Sequence, residues 1–149
     1  LLELSHEIDL INYLFGPIKI KYASKMNTNS LKIDVEDIAL IHAECSSCKF
    51  ITTRLNFCTK PQERYLKIRF SKANLTWELN NQLIRIRGSQ GKESILYKSE
   101  NNSDYKYKKQ FENFFTFVEN LESVHCSVYD AFQSLDLICF AKKVSSKNS

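Results

Sequence analysis

Apolar positions along this chain change period twice. From Leu1 to Phe15 they recur at helical spacing, with Leu4, Ile8, Ile11 and Phe15 on one stripe, and Gly16-Pro17 supplies a stop because glycine accepts the left-handed C′ conformation and proline cannot continue a helix. From Ile18 to Lys98 the spacing falls to two. Ile18, Ile20 and Tyr22 alternate with lysines, and Ile38 to Cys45 is almost wholly apolar and turns at Ser46-Ser47 into Cys48 to Cys58. Tyr65 to Ser71, Leu75 to Leu79, Leu83 to Arg87 and Ile95 to Lys98 follow, with Asn80-Asn81 and Gly88-Ser89-Gln90-Gly91 as turns. Helical spacing then returns. Tyr107, Phe111, Phe114, Phe115 and Val118 repeat within 104–122, and a final helix, capped by Ser127 with Asp130 three residues on, places Ala131, Leu135, Ile138 and Cys139 on its buried side.

Six or seven short strands between helices predict an α+β fold, an open and mostly antiparallel sheet with helices packed on one face. The 149 residues, 43% hydrophobic and 26% charged, suit one domain over 1–149, with a polar tail over 145–149 expected to fray. Phe111, Phe114, Phe115 and Phe117 are assigned mostly to the core.

The chemistry lies on the first helix, residues 1–16. Glu3, His6 and Asp9 stand three apart, so their side chains occupy neighbouring turns beside the apolar stripe. No Ser, Thr, Asp or Asn precedes Leu1 to cap that helix, and the chain is therefore expected to be a fragment or a carboxy-terminal domain.

The string Leu1-Leu2-Glu3-Leu4-Ser5-His6-Glu7-Ile8-Asp9, followed by an apolar run and Gly16, resembles the HxxD helix of the Gfo/Idh/MocA family, and in particular its bacterial members linked to surface-polysaccharide sugars. Tyr107-Lys108-Lys109-Gln110 with Phe114 is similar to that family's YxxQxxxF helix, and Asp130-Ala131 with Ser134-Leu135 to its closing segment. The resemblance implies a substrate-binding and oligomerisation domain of the dihydrodipicolinate-reductase-like, or glyceraldehyde-3-phosphate-dehydrogenase-like, carboxy-terminal type. It implies an NAD- or NADP-dependent oxidoreductase acting on a sugar or nucleotide sugar in surface-polysaccharide metabolism. His6 would be the proton acceptor or donor, Asp9 the substrate-contacting acid, and Glu3 and Gln110 further substrate contacts. It also implies a homodimer or homotetramer formed through the sheet, with Tyr65 and Tyr97 on its outer face. One position departs from the pattern: many members carry an aspartate four residues before the histidine, where this chain has Leu2.

The cofactor should be held elsewhere. No GxGxxG turn occurs, and three glycines, at positions 16, 88 and 91, are too few to build one. A Rossmann domain and its active-site lysine are therefore expected upstream of Leu1, and the fragment alone is expected to be inactive. An imidazole titrating near neutrality suits His6 to taking a proton from a sugar hydroxyl as hydride leaves. A histidine alone on a helix reads more simply as a surface residue bonded to a carboxylate; the surrounding match turns the reading toward chemistry.

Charge adds little. A net charge of +4 arises from 21 basic and 17 acidic residues, mixed along the chain, so the cations of 64–69 and 106–109 read as solvent-facing and no nucleic-acid partner is expected. No apolar run reaches the ~20 residues needed to cross a bilayer. No membrane partner is expected, and a cytoplasmic location is the default.

Five cysteines supply the rival chemistry. Cys45-Ser46-Ser47-Cys48 is a CxxC that, with Cys58 or His42, suggests zinc; lacking a second CxxC, it reads instead as two small thiols facing each other across a hairpin, and no metal is expected. His42 and His125 are assigned structural roles. The alternative function is a non-catalytic α+β binding or dimerisation module.

Overall fold

The computed structural model describes residues 5–101, 104–120 and 126–145. Leu2, Glu3, His125 and the tail beyond Ser145 lie outside the described residues. In chain order the elements are α1 (Ser5–Phe15), β1 (Lys19–Met26), β2 (Ile38–Glu44), β3 (Ile51–Asn56), β4 (Tyr65–Arg69), β5 (Ala73–Glu78), β6 (Leu83–Gly88), β7 (Glu93–Lys98), α2 (Tyr105–Asn120) and α3 (Val128–Ser145). Every strand pairing is antiparallel, in one sheet of order β1-β2-β3 and another of order β4-β5-β6-β7. The architecture is the expected α+β, with its strands divided between two ladders. The chain groups into two compact units, Leu1–Thr59 with Val124–Ser149, and Lys60–Ser123.

The first unit holds the core. Buried positions alternate along β2 and β3, where Ala39, Ile41, Ala43, Ile51 and Leu55 face inward, and α3 packs on β1 and α1 on α3. Ile8 and Ile11 from α1 and Ile138 and Ala141 from α3 join Ile18, Ile20 and Ala23 in one apolar cluster. The strand alternation expected at Ile18, Ile20 and Tyr22 is interrupted. A bulge between Ile20 and Tyr22 shifts the register by one residue, so Tyr22 turns outward and Ala23 takes the inward place. On the outer face His42 lies between the rings of Tyr22 and Phe50, each centroid 5.8 Å away, with Nδ1 3.1 Å from Thr52 Oγ1.

The end of α1 and the start of α3 are built as local chemistry requires. Gly16, at φ +80°, donates its N–H to the Asn12 carbonyl at 3.0 Å. At the start of α3 the backbone N–H and hydroxyl of Ser127 donate to Asp130 Oδ2 at 2.7 and 2.6 Å, which holds that carboxyl below its usual range and completes the expected cap. The buried side of α3, however, is Ser134, Ile138, Ala141 and Ser145, whereas Ala131, Leu135 and Cys139 are exposed. Apolar residues are spread nearly all round this helix, so spacing alone does not select the face.

The second unit is a four-stranded meander in which Leu83 is the one described residue that is buried. Cross-strand register separates its faces. Leu66, Trp77, Ile84 and Tyr97 form one row, and Tyr65 pairs with Glu78 in the neighbouring row, so the two tyrosines do not share the outer face expected of them. None of the residues of α2 is buried, and Phe111 (64% exposed), Phe114 and Phe115 are not core residues. Helical spacing places such side chains together without specifying a cover. Among the described residues, no helix is long and apolar enough to cross a membrane.

A buried carboxylate organises the loop between β1 and β2. Asp37 is 1% exposed and accepts the Thr28 hydroxyl, together with the Thr28 N–H at 2.9 Å. The Thr28 hydroxyl, then its N–H and the Cys58 thiol, hold the Asp37 carboxyl below its ordinary value against the opposing effect of burial. Because the folded value is depressed, this stabilisation is complete above the unfolded carboxylate range and is lost as pH falls through the folded value. Asp37→Asn is accordingly expected to lower the urea midpoint near neutral pH, with the gap from the parent closing in acid; urea titrations across a pH series measure it. Ile41→Ala, at the centre of the cluster, is expected to cost about 2–5 kcal/mol in the same assay.

Candidate functional site

One helical turn separates His6 from Asp9, and another separates Asp9 from Tyr13, so the three lie on one side of α1 opposite Ile8, Ile11 and Phe15. Burial of Ile8 (1% exposed) and Ile11 fixes which side faces out. His6 is exposed and Asp9 half-buried, and Tyr13, which spacing analysis passed over, is 76% exposed.

Asp9 is held from a distance. The Ser134 hydroxyl, on the buried face of α3, donates to Asp9 Oδ1 at 2.6 Å across 125 positions of sequence. The two strings that suggested a site, His6-Glu7-Ile8-Asp9 and Asp130-Ala131 with Ser134-Leu135, are thereby brought into contact. The carboxylate has a wider electrostatic reach: partial burial raises the Cys126 thiol, and the charges of Asp9 and Asp130 add to that effect. Two carboxylates therefore act together where α1 meets the first turns of α3, and His6 is exposed on the same outward side of α1 as Asp9.

At its far end α1 is tied by Asn12 Oδ1, which accepts the Ile18 N–H at 3.3 Å, and by the Phe15 carbonyl, which accepts the Ser47 hydroxyl at 3.2 Å. The helix is therefore fastened at its middle and its end, which gives His6 and Asp9 a fixed frame. Gln110 is exposed on α2, in the other compact unit. Glu3 lies outside the described residues.

Two other constellations carry less. In the open depression of about 490 Å³ on the β4–β7 sheet, lined by Arg64, Tyr65, Lys67 and Glu78 among others, Arg85 is taken up by two carboxylates, with Nε 3.1 Å from Glu78 and Nη1 3.3 Å from Glu93. Among the described residues, no group of three or more His, Cys, Asp or Glu is placed to hold a metal ion. His42 is engaged with Thr52, and Cys58 stands beside Thr28 and Asp37.

No family model matches the chain, and no curated protein does. Solved structures do. UDP-N-acetylglucosamine 3-dehydrogenase GnnA from Acidithiobacillus ferrooxidans matches at a TM-score of 0.75 and 14% identity over 96% of this chain and 44% of that one. The WlbA dehydrogenase from Bordetella pertussis, solved in complex with NADH and UDP-GlcNAcA, matches at 0.72 and 17% over 99% of this chain and 45% of that one. An oxidoreductase from Agrobacterium radiobacter, in complex with NAD+, L-tartaric acid and magnesium, matches at 0.79 and 15% over 97% and 46%. The fold is shared with part of each of these oxidoreductases. The chain spans less than half the length of each of these three proteins.

Among the described residues, the Ser134 hydroxyl links the candidate residue Asp9 to a distant segment. Ser134→Ala is expected to cost about 1 kcal/mol, the typical worth of one hydrogen bond, and to leave far-UV circular dichroism unchanged; chemical denaturation of the two proteins measures the difference.

Proposed function

We propose that this chain is the substrate-binding, carboxy-terminal half of an NAD(P)-dependent oxidoreductase acting on a CH–OH group of a sugar or nucleotide sugar, with His6 as proton acceptor in oxidation and donor in reduction. The observation that carries the reading is the pairing of an exposed His6 with an Asp9 clamped by Ser134, on a helix whose apolar side is locked into the core. Support from outside the chain comes from its fold, matched in dehydrogenases whose solved complexes include NADH with UDP-GlcNAcA.

The chemistry divides between what these residues do and what they leave to a cofactor. Removing hydride from a hydroxyl-bearing carbon leaves a proton to be taken from oxygen, and the imidazole of His6 takes it. With Oδ1 of Asp9 engaged by Ser134, Oδ2 accepts a hydrogen bond from a neighbouring sugar hydroxyl and orients the ring. Glu3 and Gln110 supply further hydroxyl contacts in this reading. The nicotinamide, when bound, receives or returns the hydride. Its pyrophosphate does not fit this chain: every strand pairing is antiparallel, so the described residues hold no βαβ phosphate-binding turn, and the chain has no GxGxxG. We therefore place the cofactor on a Rossmann domain preceding Leu1, without which the domain does not turn over. The whole protein is read as a homodimer or homotetramer assembled through the sheet, acting in the cytoplasm in polysaccharide biosynthesis.

A second reading, a non-catalytic binding or dimerisation module, is favoured by the exposed apolar stripe of Phe111, Phe114, Phe115 and Val118 on α2. One experiment separates the two. The coding sequence upstream of Leu1 is read for a strand, a GxGxxG turn and a lysine-bearing loop, and the protein including that segment is assayed with nucleotide sugars and NAD(P)+. His6→Ala is expected to lower kcat by about 10²–10⁴-fold with a much smaller change in KM. Turnover indifferent to His6→Ala removes His6 from the chemistry, whereas no turnover, or an unrelated upstream segment, establishes the binding module instead.

A further inference from the structure

The hairpin between β2 and β3 carries a pair of thiols that the proposed reaction does not use. Cys45 and Cys48 flank Ser46-Ser47, and the Cys45 N–H donates to the Cys48 carbonyl at 2.8 Å. A hydrogen bond of that length between the two backbones holds their Cα atoms within about 7 Å, the limit for a pair that a disulfide can bridge. Both are free thiols, Cys45 buried and Cys48 half-exposed.

The turn also builds a cradle around one sulfur. Cys45 Sγ accepts the Cys48 backbone N–H at 3.2 Å and lies 3.3 Å from Ser47 Oγ. The hydroxyl of Ser47, then the N–H groups of Cys48 and Ser47 and the charge of Lys49, hold the Cys45 thiol below its ordinary value although burial opposes them. Cys48 Sγ instead donates to the Phe50 carbonyl at 3.4 Å. The sulfur with the depressed titration is the buried one, so the half-exposed Cys48 meets an external disulfide first and Cys45 resolves the adduct.

We propose that Cys45 and Cys48 form a reversible thiol–disulfide exchange site, closed by a low-molecular-weight disulfide such as oxidised glutathione. The Cys48 thiol loses its proton to solvent, and its sulfur attacks the external disulfide, forming a mixed disulfide and releasing one external thiolate. The Cys45 thiolate then attacks the Cys48 sulfur. The Cys45–Cys48 bond forms, the mixed disulfide breaks, and the second external thiolate leaves; the external disulfide has been reduced by two electrons and the cysteine pair oxidised by two.

The exchange is coupled to α1 through one proton. The Ser47 hydroxyl has a single hydrogen and two acceptors, the Phe15 carbonyl at 3.2 Å and the Cys45 sulfur. A Cys45 thiolate draws that hydrogen toward sulfur, and a disulfide, a weaker acceptor, returns it to the end of the helix that carries His6 and Asp9.

The test uses the full chain in a series of reduced and oxidised glutathione mixtures, folded and in urea. Each sample is quenched in acid, alkylated and mapped by peptide mass spectrometry. The folded chain is expected to lose alkylation at Cys45 and Cys48 together, to yield a Cys45–Cys48 linked peptide, and to do so at a more reducing mixture than the unfolded chain requires. In Cys48→Ser the linked peptide disappears while Cys58, Cys126 and Cys139 respond as in the parent. Independent alkylation of Cys45 and Cys48 across the whole series, or closure of the folded and unfolded chains at the same mixture, overturns the proposal.

Discussion

The burial of Ile8, Ile11, Ile138 and Ala141 with Ile20, Ile41 and Leu55 in one cluster is the constraint on which the candidate site depends. Two helices from opposite ends of the chain share one apolar cluster with a three-stranded sheet, and apolar burial is a non-directional force that fixes position without dictating chemistry. At about 1.5–3 kcal/mol for each fully buried aliphatic side chain, the isoleucines of α1 set its rotation firmly enough that His6 and Tyr13 have one outcome, the solvent side.

Polar contacts then refine what packing has placed. The Ser134–Asp9 hydrogen bond is directional, and it converts a carboxylate on an exposed helix face into one with a defined orientation. Asn12 and Ser47 do the same for the helix end, at the Ile18 N–H and the Phe15 carbonyl. Burial of the opposite face leaves the His6 imidazole accessible, and a serine from the other end of the chain fixes the Asp9 carboxylate, the two features on which the proposed reading rests. The same division recurs at Asp37, where a buried carboxylate is tolerable because Thr28 meets it with both a hydroxyl and an N–H.

Much of the fold was legible because its signals are local. The strands expected over 38–45 and 48–58 form as Ile38–Glu44 and Ile51–Asn56, and the Gly16 stop and the Ser127–Asp130 cap, which act within a few residues, appear where the pattern places them. The misplacements have a common cause. The Ile20/Tyr22 bulge breaks a period that pattern reading takes as continuous, and α3 is apolar on too many sides for spacing to choose between Leu135 and Ser134. On α2 spacing did identify the stripe of Phe111, Phe114 and Phe115, yet the assignment to core failed, since amphipathicity names a face and not its cover.

The candidate site divides along the same line. That His6 and Asp9 share a helix face follows from residue spacing and 3.6 residues per turn, so the chain alone determines it. Tyr13 follows from the same geometry, once Ile8 and Ile11 are known to be the buried pair. The clamp on Asp9, the cradle around Cys45 and the separation of Tyr65 from Tyr97 belong to tertiary structure and cross-strand register. Hydrogen bonds and pairings of that kind join residues that sequence order keeps apart or leaves unordered in space. Their partners are selected only when apolar burial has brought the elements together.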